Sequence, residues 1–214
     1  MALTRLKDYA QQVRLRRRFR GNNAIGPGVK FSEDTVIEGN AVVGAGVILG
    51  PGVRLGKNAK IGDGAILAHI IIGNNSCVEL GVICTGNGSG IIRIGEECYI
   101  GIRNVLDWSA DITIGNYVHI AGPGTGLWTH SSAGMCLNGI PLAQQSDRRY
   151  RPVDPVVVED NTYIGGNCTI YPGVTVGHHS IVAPNSAVTK DTPPCSLVGG
   201  VPAKVIKKLP LKKT

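Results

Sequence analysis

His130 is the residue best suited to proton chemistry in this 214-residue chain. It closes the run Leu127-Trp128-Thr129-His130, inside the longest break in an otherwise regular repeat. A free imidazole titrates near pH ~6.5, so it is largely neutral at pH 7 and can accept a proton. Two readings stand on residue type alone: a general base, or a loop histidine with no chemical task. Cys136 shares the break and could be drawn as a nucleophile. No partner residue is fixed beside it, and we read it as an idle thiol. Arg148, Arg149 and Arg151 follow in the same break. They suit an anionic or nucleotide-linked acceptor, and equally a solvated face. Gly86-Asn87-Gly88-Ser89-Gly90 and Gly122-Pro123-Gly124-Thr125-Gly126 look superficially like phosphate loops. Both lack the Lys-Ser/Thr pair and the strand-to-helix setting that such a loop needs, so they read as corners.

The elements that must hold these residues follow from a spacing of six. Ile25, Phe31, Ile37, Val43, Leu49, Leu55, Ile61 and Leu67 are in phase. Four positions after them come small or β-branched residues: Val29, Thr35, Ala41, Val47, Val53, Ala59, Ala65 and Ile71. The rhythm slips by one residue and resumes at Ile72 and Val78. It continues through Ile94, Ile100, Leu106 and Ile112, then shifts to Ile114 and Ile120. Val158, Ile164, Ile170, Val176, Val182 and Val188 form the last block, with Thr162, Cys168, Val174, Ser180 and Ser186 between them. Helices repeat at 3.6 and strands at 2, so a period of six specifies a parallel β-helix of short strands and tight corners.

Residues 2–20 read as a helix with Leu3, Leu6, Ala10 and Val13 on one stripe, capping the open end of the solenoid or lying on a membrane surface. The organisation expected is a helical cap at 1–20, the β-helix at 21–200 with a loop inserted at 126–157, and a helix with a basic tail at 201–214. The helix is placed at about 202–208, and Pro193-Pro194 is read as ending the regular strands.

The net charge of +7 is uneven: residues 1–20 carry +6, residues 201–214 carry +5, and the body is mildly acidic. Basic ends could meet phosphates or anionic lipid, but no aromatic-interleaved nucleic-acid motif accompanies them, and nucleic acid is not an expected partner. No apolar run is long enough to cross a bilayer and no signal peptide opens the chain. Six cysteines without a CxxC pair read as free thiols in a reducing cytoplasm.

With the hexads, Leu127-Trp128-Thr129-His130, Ile164-Gly165-Gly166, Thr189-Lys190-Asp191 and Val201-Pro202-Ala203-Lys204 in order, the chain resembles the hexapeptide-repeat acyltransferases. The nearest likeness is to galactoside and maltose acetyltransferases and bacterial polysaccharide O-acetyltransferases. It covers roughly residues 25–208 and is strongest from 94 to 208. The resemblance implies an all-β, left-handed parallel β-helix, a hand that periodicity does not give. It also implies a homotrimer with active sites between subunits. It implies an acetyl-CoA-dependent O-acetyltransferase acting on a saccharide hydroxyl, with His130 as general base and direct transfer.

The coenzyme A site carried over from the family falls on Gly166, Pro184, Thr189, Lys190, Lys204 and Lys207. The pantetheine arm would follow Gly166 and Pro184, and an amide near Gly165-Gly166 would meet the oxyanion. Lysines stand where some relatives use arginine, so a bidentate phosphate clamp is not carried over. On the acceptor side the family's asparagine aligns with Gly101, which has no side chain to offer. Arg103, Asn104 and Asp107 are its expected replacements, with Trp128 alongside. An N-acyltransferase on an amino-sugar nucleotide would use the same base. Two other classes are a scaffold and a zinc hydratase; the hexapeptide-repeat carbonic anhydrases use an H-x4-H pair, absent among His69, His119, His130, His178 and His179. No metal is expected.

Overall fold

The computed structural model describes residues 22–210; the expected N-terminal helix at 2–20 lies outside them. The described chain is a solenoid of mostly two- and three-residue strands wound around three sheets, parallel except at the last strand of the first. The first face has ten strands, the second eight and the third seven. Successive turns stack directly: Ala24 pairs with Val42, and Val42 with Lys60. The Ala45 amide reaches Asp63, 18 residues on, at 2.7 Å, so three hexads make one turn.

The hexad aliphatics point inward. Ile37, Val43, Leu49, Leu55, Ile61 and Leu67 are all buried, as are Ile164, Ile170, Val176, Val182 and Val188. Each such side chain contributes about 1.5–3 kcal/mol when removed from water, and together they form one continuous core. The small residues between them, Ala41, Val47, Val53, Ala59 and Ala65, are buried too. Ile71 is not; it is 37% exposed. The strand Ile70–Ile72 is three residues long and alternates, so Ile70 and Ile72 face the core and Ile71 faces out. This is where the rhythm slips.

At the corners the chain adopts a left-handed backbone, often at asparagine. Asn58, Asn75 and Glu97 hold this conformation in successive turns. Their side chains form a ladder, Asn58 to Asn75 at 2.8 Å and Asn75 to Glu97 at 2.7 Å.

Three boundaries differ from expectation. The inserted loop is shorter than 126–157, because Gly126–Leu127 and Val156–Val158 both join the ladders. Pro193-Pro194 does not end the strands: Ser196–Gly200 continues the first face in parallel with Ile181–Val182. The expected C-terminal helix is instead the strand Ala203–Lys208, antiparallel to Ser196–Gly200. Its Val205-Ile206 pair suits an edge strand, and the available sheet edge outweighs the helix propensity of its lysines.

Candidate active site

Alternation decides where His130 points. Leu127 and Thr129 are fully buried, so Trp128 and His130 face out at the corner between the second and third faces. One turn earlier the second-face strand is Val105–Asp107. Leu106 pairs with Leu127 across the ladder, which brings Asp107 beneath Trp128-Thr129-His130. The Asp107 carboxylate lies 2.6 Å from Nδ1 of His130. A carboxylate only accepts, so Nδ1–H donates and Nε2 is left with its lone pair.

Asp107 is itself held from several sides. Its Oδ2 accepts from the Thr129 amide at 2.9 Å and from the Thr129 hydroxyl at 3.0 Å. Its Oδ1 accepts from the Ser109 hydroxyl at 2.7 Å and the Ser109 amide at 3.0 Å. Burial pushes the Asp107 pKa up, but the bonds from Ser109, Thr129 and His130 outweigh it and hold the carboxyl below its usual range. The group therefore stays ionised. His130 keeps a quarter of its side chain accessible. The pair places a fixed anion behind one ring nitrogen and leaves a lone pair on the other, an arrangement that suits proton transfer.

The inserted loop is tied down on both sides of this pair. His130 forms an antiparallel bridge with Val153, and the Asp154 amide donates to the Thr129 carbonyl at 2.9 Å. The glycine-rich corner at 86–90 packs directly on the Asp107–Ala110 backbone. A Cβ on Gly88 would collide with the Ser109 carbonyl, so this approach requires glycine. Asn87 reaches across to the inserted loop, donating to Gln145 at 2.9 Å and accepting from Arg151 at 2.9 Å.

The other expected site residues are dispersed. Asp107 does not face an acceptor; it orients His130. Asn104 is fully buried, with its side-chain oxygen accepting the Thr125 amide at 2.9 Å and its Nδ2 directed at the Ile120 and Ala121 carbonyls. It is part of the wall. Arg103 is exposed at the first–second corner, the other end of the Val105–Asp107 strand from His130. Trp128 lies half-buried with its indole over Gly126.

Gly166 and Pro184 share the first–second corner on successive turns. Thr189 and Lys190 lie exposed on the second–third corner, the same edge as His130. Lys204 and Lys207 project from the terminal strand on the first face. The Gly165 amide is engaged by Val182 at 2.9 Å, which excludes it as an oxyanion donor and leaves Gly166 as the candidate. Cys136 is exposed in the short helix Ala133–Leu137. Among the described residues, no group of three His, Cys, Asp or Glu side chains is placed to hold a metal ion.

Sequence reasoning missed the role of Asp107. An acid directly after an inward aliphatic, one turn before the histidine, was the available signal.

Two family models match the chain: bacterial transferase hexapeptide (six repeats) over residues 155–190, and hexapeptide repeat of succinyl-transferase over residues 34–69. The galactoside O-acetyltransferase of Escherichia coli (strain K12) is 30% identical over 139 residues, 64% of this chain and 63% of the relative. A chloramphenicol acetyltransferase of Agrobacterium fabrum (strain C58 / ATCC 33970) is 31% identical over 121 residues, 56% of this chain and 53% of the relative. The match thus spans between about half and two thirds of these relatives' lengths. The crystal structure of a hexapeptide-repeat containing acetyltransferase from Vibrio cholerae is 36% identical, with a TM-score of 0.54. It is matched over 65% of this chain and 73% of its own. With hexads, turn-by-turn register and this likeness in agreement, the chain belongs to the hexapeptide-repeat acetyltransferase family.

Proposed function

We propose that this protein is an acetyl-CoA-dependent O-acetyltransferase acting on a sugar or saccharide-linked hydroxyl. The observation that carries the reading is the 2.6 Å contact between Asp107 and Nδ1 of His130, with Nε2 left open. In the proposed step, Nε2 of His130 removes the proton of the acceptor hydroxyl as its oxygen attacks the thioester carbonyl. Asp107 stabilises the imidazolium that forms. The Gly166 amide is the proposed donor to the tetrahedral oxyanion. Collapse breaks the carbon–sulfur bond, and His130 returns its proton to the departing thiolate. No covalent enzyme intermediate is needed.

Gly166 and Pro184 lie on a different edge of the prism from His130, and a side of six residues extends up to ~20 Å. A neighbouring subunit would bring its own first–second edge to this His130, which supports a homotrimer with shared sites. Thr189, Lys190, Lys204 and Lys207 are the proposed contacts for the nucleotide end of coenzyme A, and Trp128 and Arg103 for the acceptor. The six free thiols fit a reducing, cytoplasmic setting.

Substituting His130→Ala should lower thiol release from acetyl-CoA by roughly 10²–10⁴-fold, with coenzyme A binding retained. An unchanged rate would remove His130 from the reaction. Lability of the acetylated product to hydroxylamine, which cleaves an ester and spares an amide, decides between O- and N-transfer.

A further inference from the structure

Beside His130 lies a groove of about 460 Å³, lined by Ser89, Gly90, Ser109, Asp111, Arg148 and Asp154 among others. That size suits a small ligand. Two of its lining residues touch the proposed base: the hydroxyl of Ser109 is 3.2 Å from Nδ1 of His130, and Val153 bridges to His130.

The three arginines of the loop are not equivalent. Arg149 is occupied: Asp147 holds it through Nε at 3.0 Å and a terminal nitrogen at 2.7 Å. Arg148 and Arg151 have no ion pair among the described residues. The chain turns at Asp147–Arg151, with the Arg151 amide donating to the Asp147 carbonyl at 2.9 Å. Arg151 is only 7% exposed and donates to a neutral group, Asn87. Asn87 in turn adjoins the Ser89-Gly90 wall of the groove. On the opposite side, Asp111 is already held by Arg93 at 3.2 Å and by the Ile91 amide at 2.8 Å. Asp154 remains as an acceptor for hydroxyl groups.

We propose that this groove takes an acidic acceptor, a sugar bearing a carboxylate or phosphate. Arg148 holds the acidic group while a neighbouring hydroxyl meets His130. The proposal rests on the acetyltransferase reading above.

The test is thiol release from acetyl-CoA with matched acceptors: glucose, glucuronate and glucose 6-phosphate, and galactose with galacturonate. At least one acid should exceed its neutral parent in kcat/KM by roughly tenfold or more, the scale of one charge-assisted contact. Arg148→Gln should lower that ratio by roughly tenfold, Arg148→Lys by less, and Arg54→Gln, on the third face, not at all. Preference confined to the uronates identifies a carboxylate acceptor; preference confined to the sugar phosphate identifies a phosphorylated one. A ratio near one in the wild-type protein, or one that Arg148→Gln does not change, overturns the proposal.

Calorimetric binding of glucuronate and glucose 6-phosphate to the wild-type and Arg148→Gln proteins separates the two readings. Acid binding that needs Arg148, without transfer to any acceptor, keeps the groove assignment and removes the activity. Transfer to neutral sugars without acid binding does the reverse.

Discussion

Asp107 changes what His130 is. Alone, the histidine is a loop imidazole; with an ionised, fully buried carboxylate on Nδ1 it is an imidazole of fixed tautomer. Asp107→Asn keeps the shape but can donate to Nδ1, which would put the proton on Nε2. We expect a roughly 10²–10⁴-fold loss of kcat with coenzyme A binding intact; steady-state kinetics against a binding isotherm checks it. The same residue links folding to pH. Its folded pKa lies below the usual value, so on acidification the unfolded chain binds the proton first. The stability it contributes is present above about pH 4 and is lost as pH falls through the folded pKa. The gap in thermal midpoint between wild type and Asp107→Asn should therefore narrow between neutral pH and about pH 3. His130 itself was legible from its place in the repeat. In sequence Asp107 reads as facing the acceptor, because its partner depends on the length of the turn between them.

At the scale of elements, the two interruptions of the repeat are one structure. The corner at 86–90 and the inserted loop meet through Asn87, which bonds both Gln145 and Arg151. Asn87→Ala removes both bonds and leaves the ladders untouched. It should speed amide exchange and tryptic cleavage around Arg148 and Arg149 with little change in global thermal midpoint; unchanged loop exchange would show that Asn87 does not hold it. The sequence placed both breaks but gave no sign of their contact, since nothing local encodes a pairing 64 residues apart. The terminal strand reads as a helix in sequence for a related reason. Ala203–Lys208 is extended because a sheet edge is within reach, which is a property of the fold around it.

Across the whole molecule, the core was the most legible feature, because period and burial are the same fact in a solenoid. Each turn contacts only the turns above and below it, so stability accumulates locally and is shared between neighbours. Ile100→Ala, at a fully buried mid-solenoid site, should cost about 2–5 kcal/mol in denaturant unfolding. Ile71→Ala, on the outward strand position, should cost far less. Equal losses would mean that the inward register is wrong.

The hairpin of Ser196–Gly200 and Ala203–Lys208 has a consequence for growth. A parallel winding carries no internal instruction to stop; its last turn is as good a template as any before it. By folding back antiparallel, the chain occupies the growing edge of the first face with its own lysine-bearing strand. It acts as a chain terminator against end-to-end polymerisation. A protein ending at Gly200 should form longer, concentration-dependent species in light scattering, and an unchanged particle size would assign that protection elsewhere.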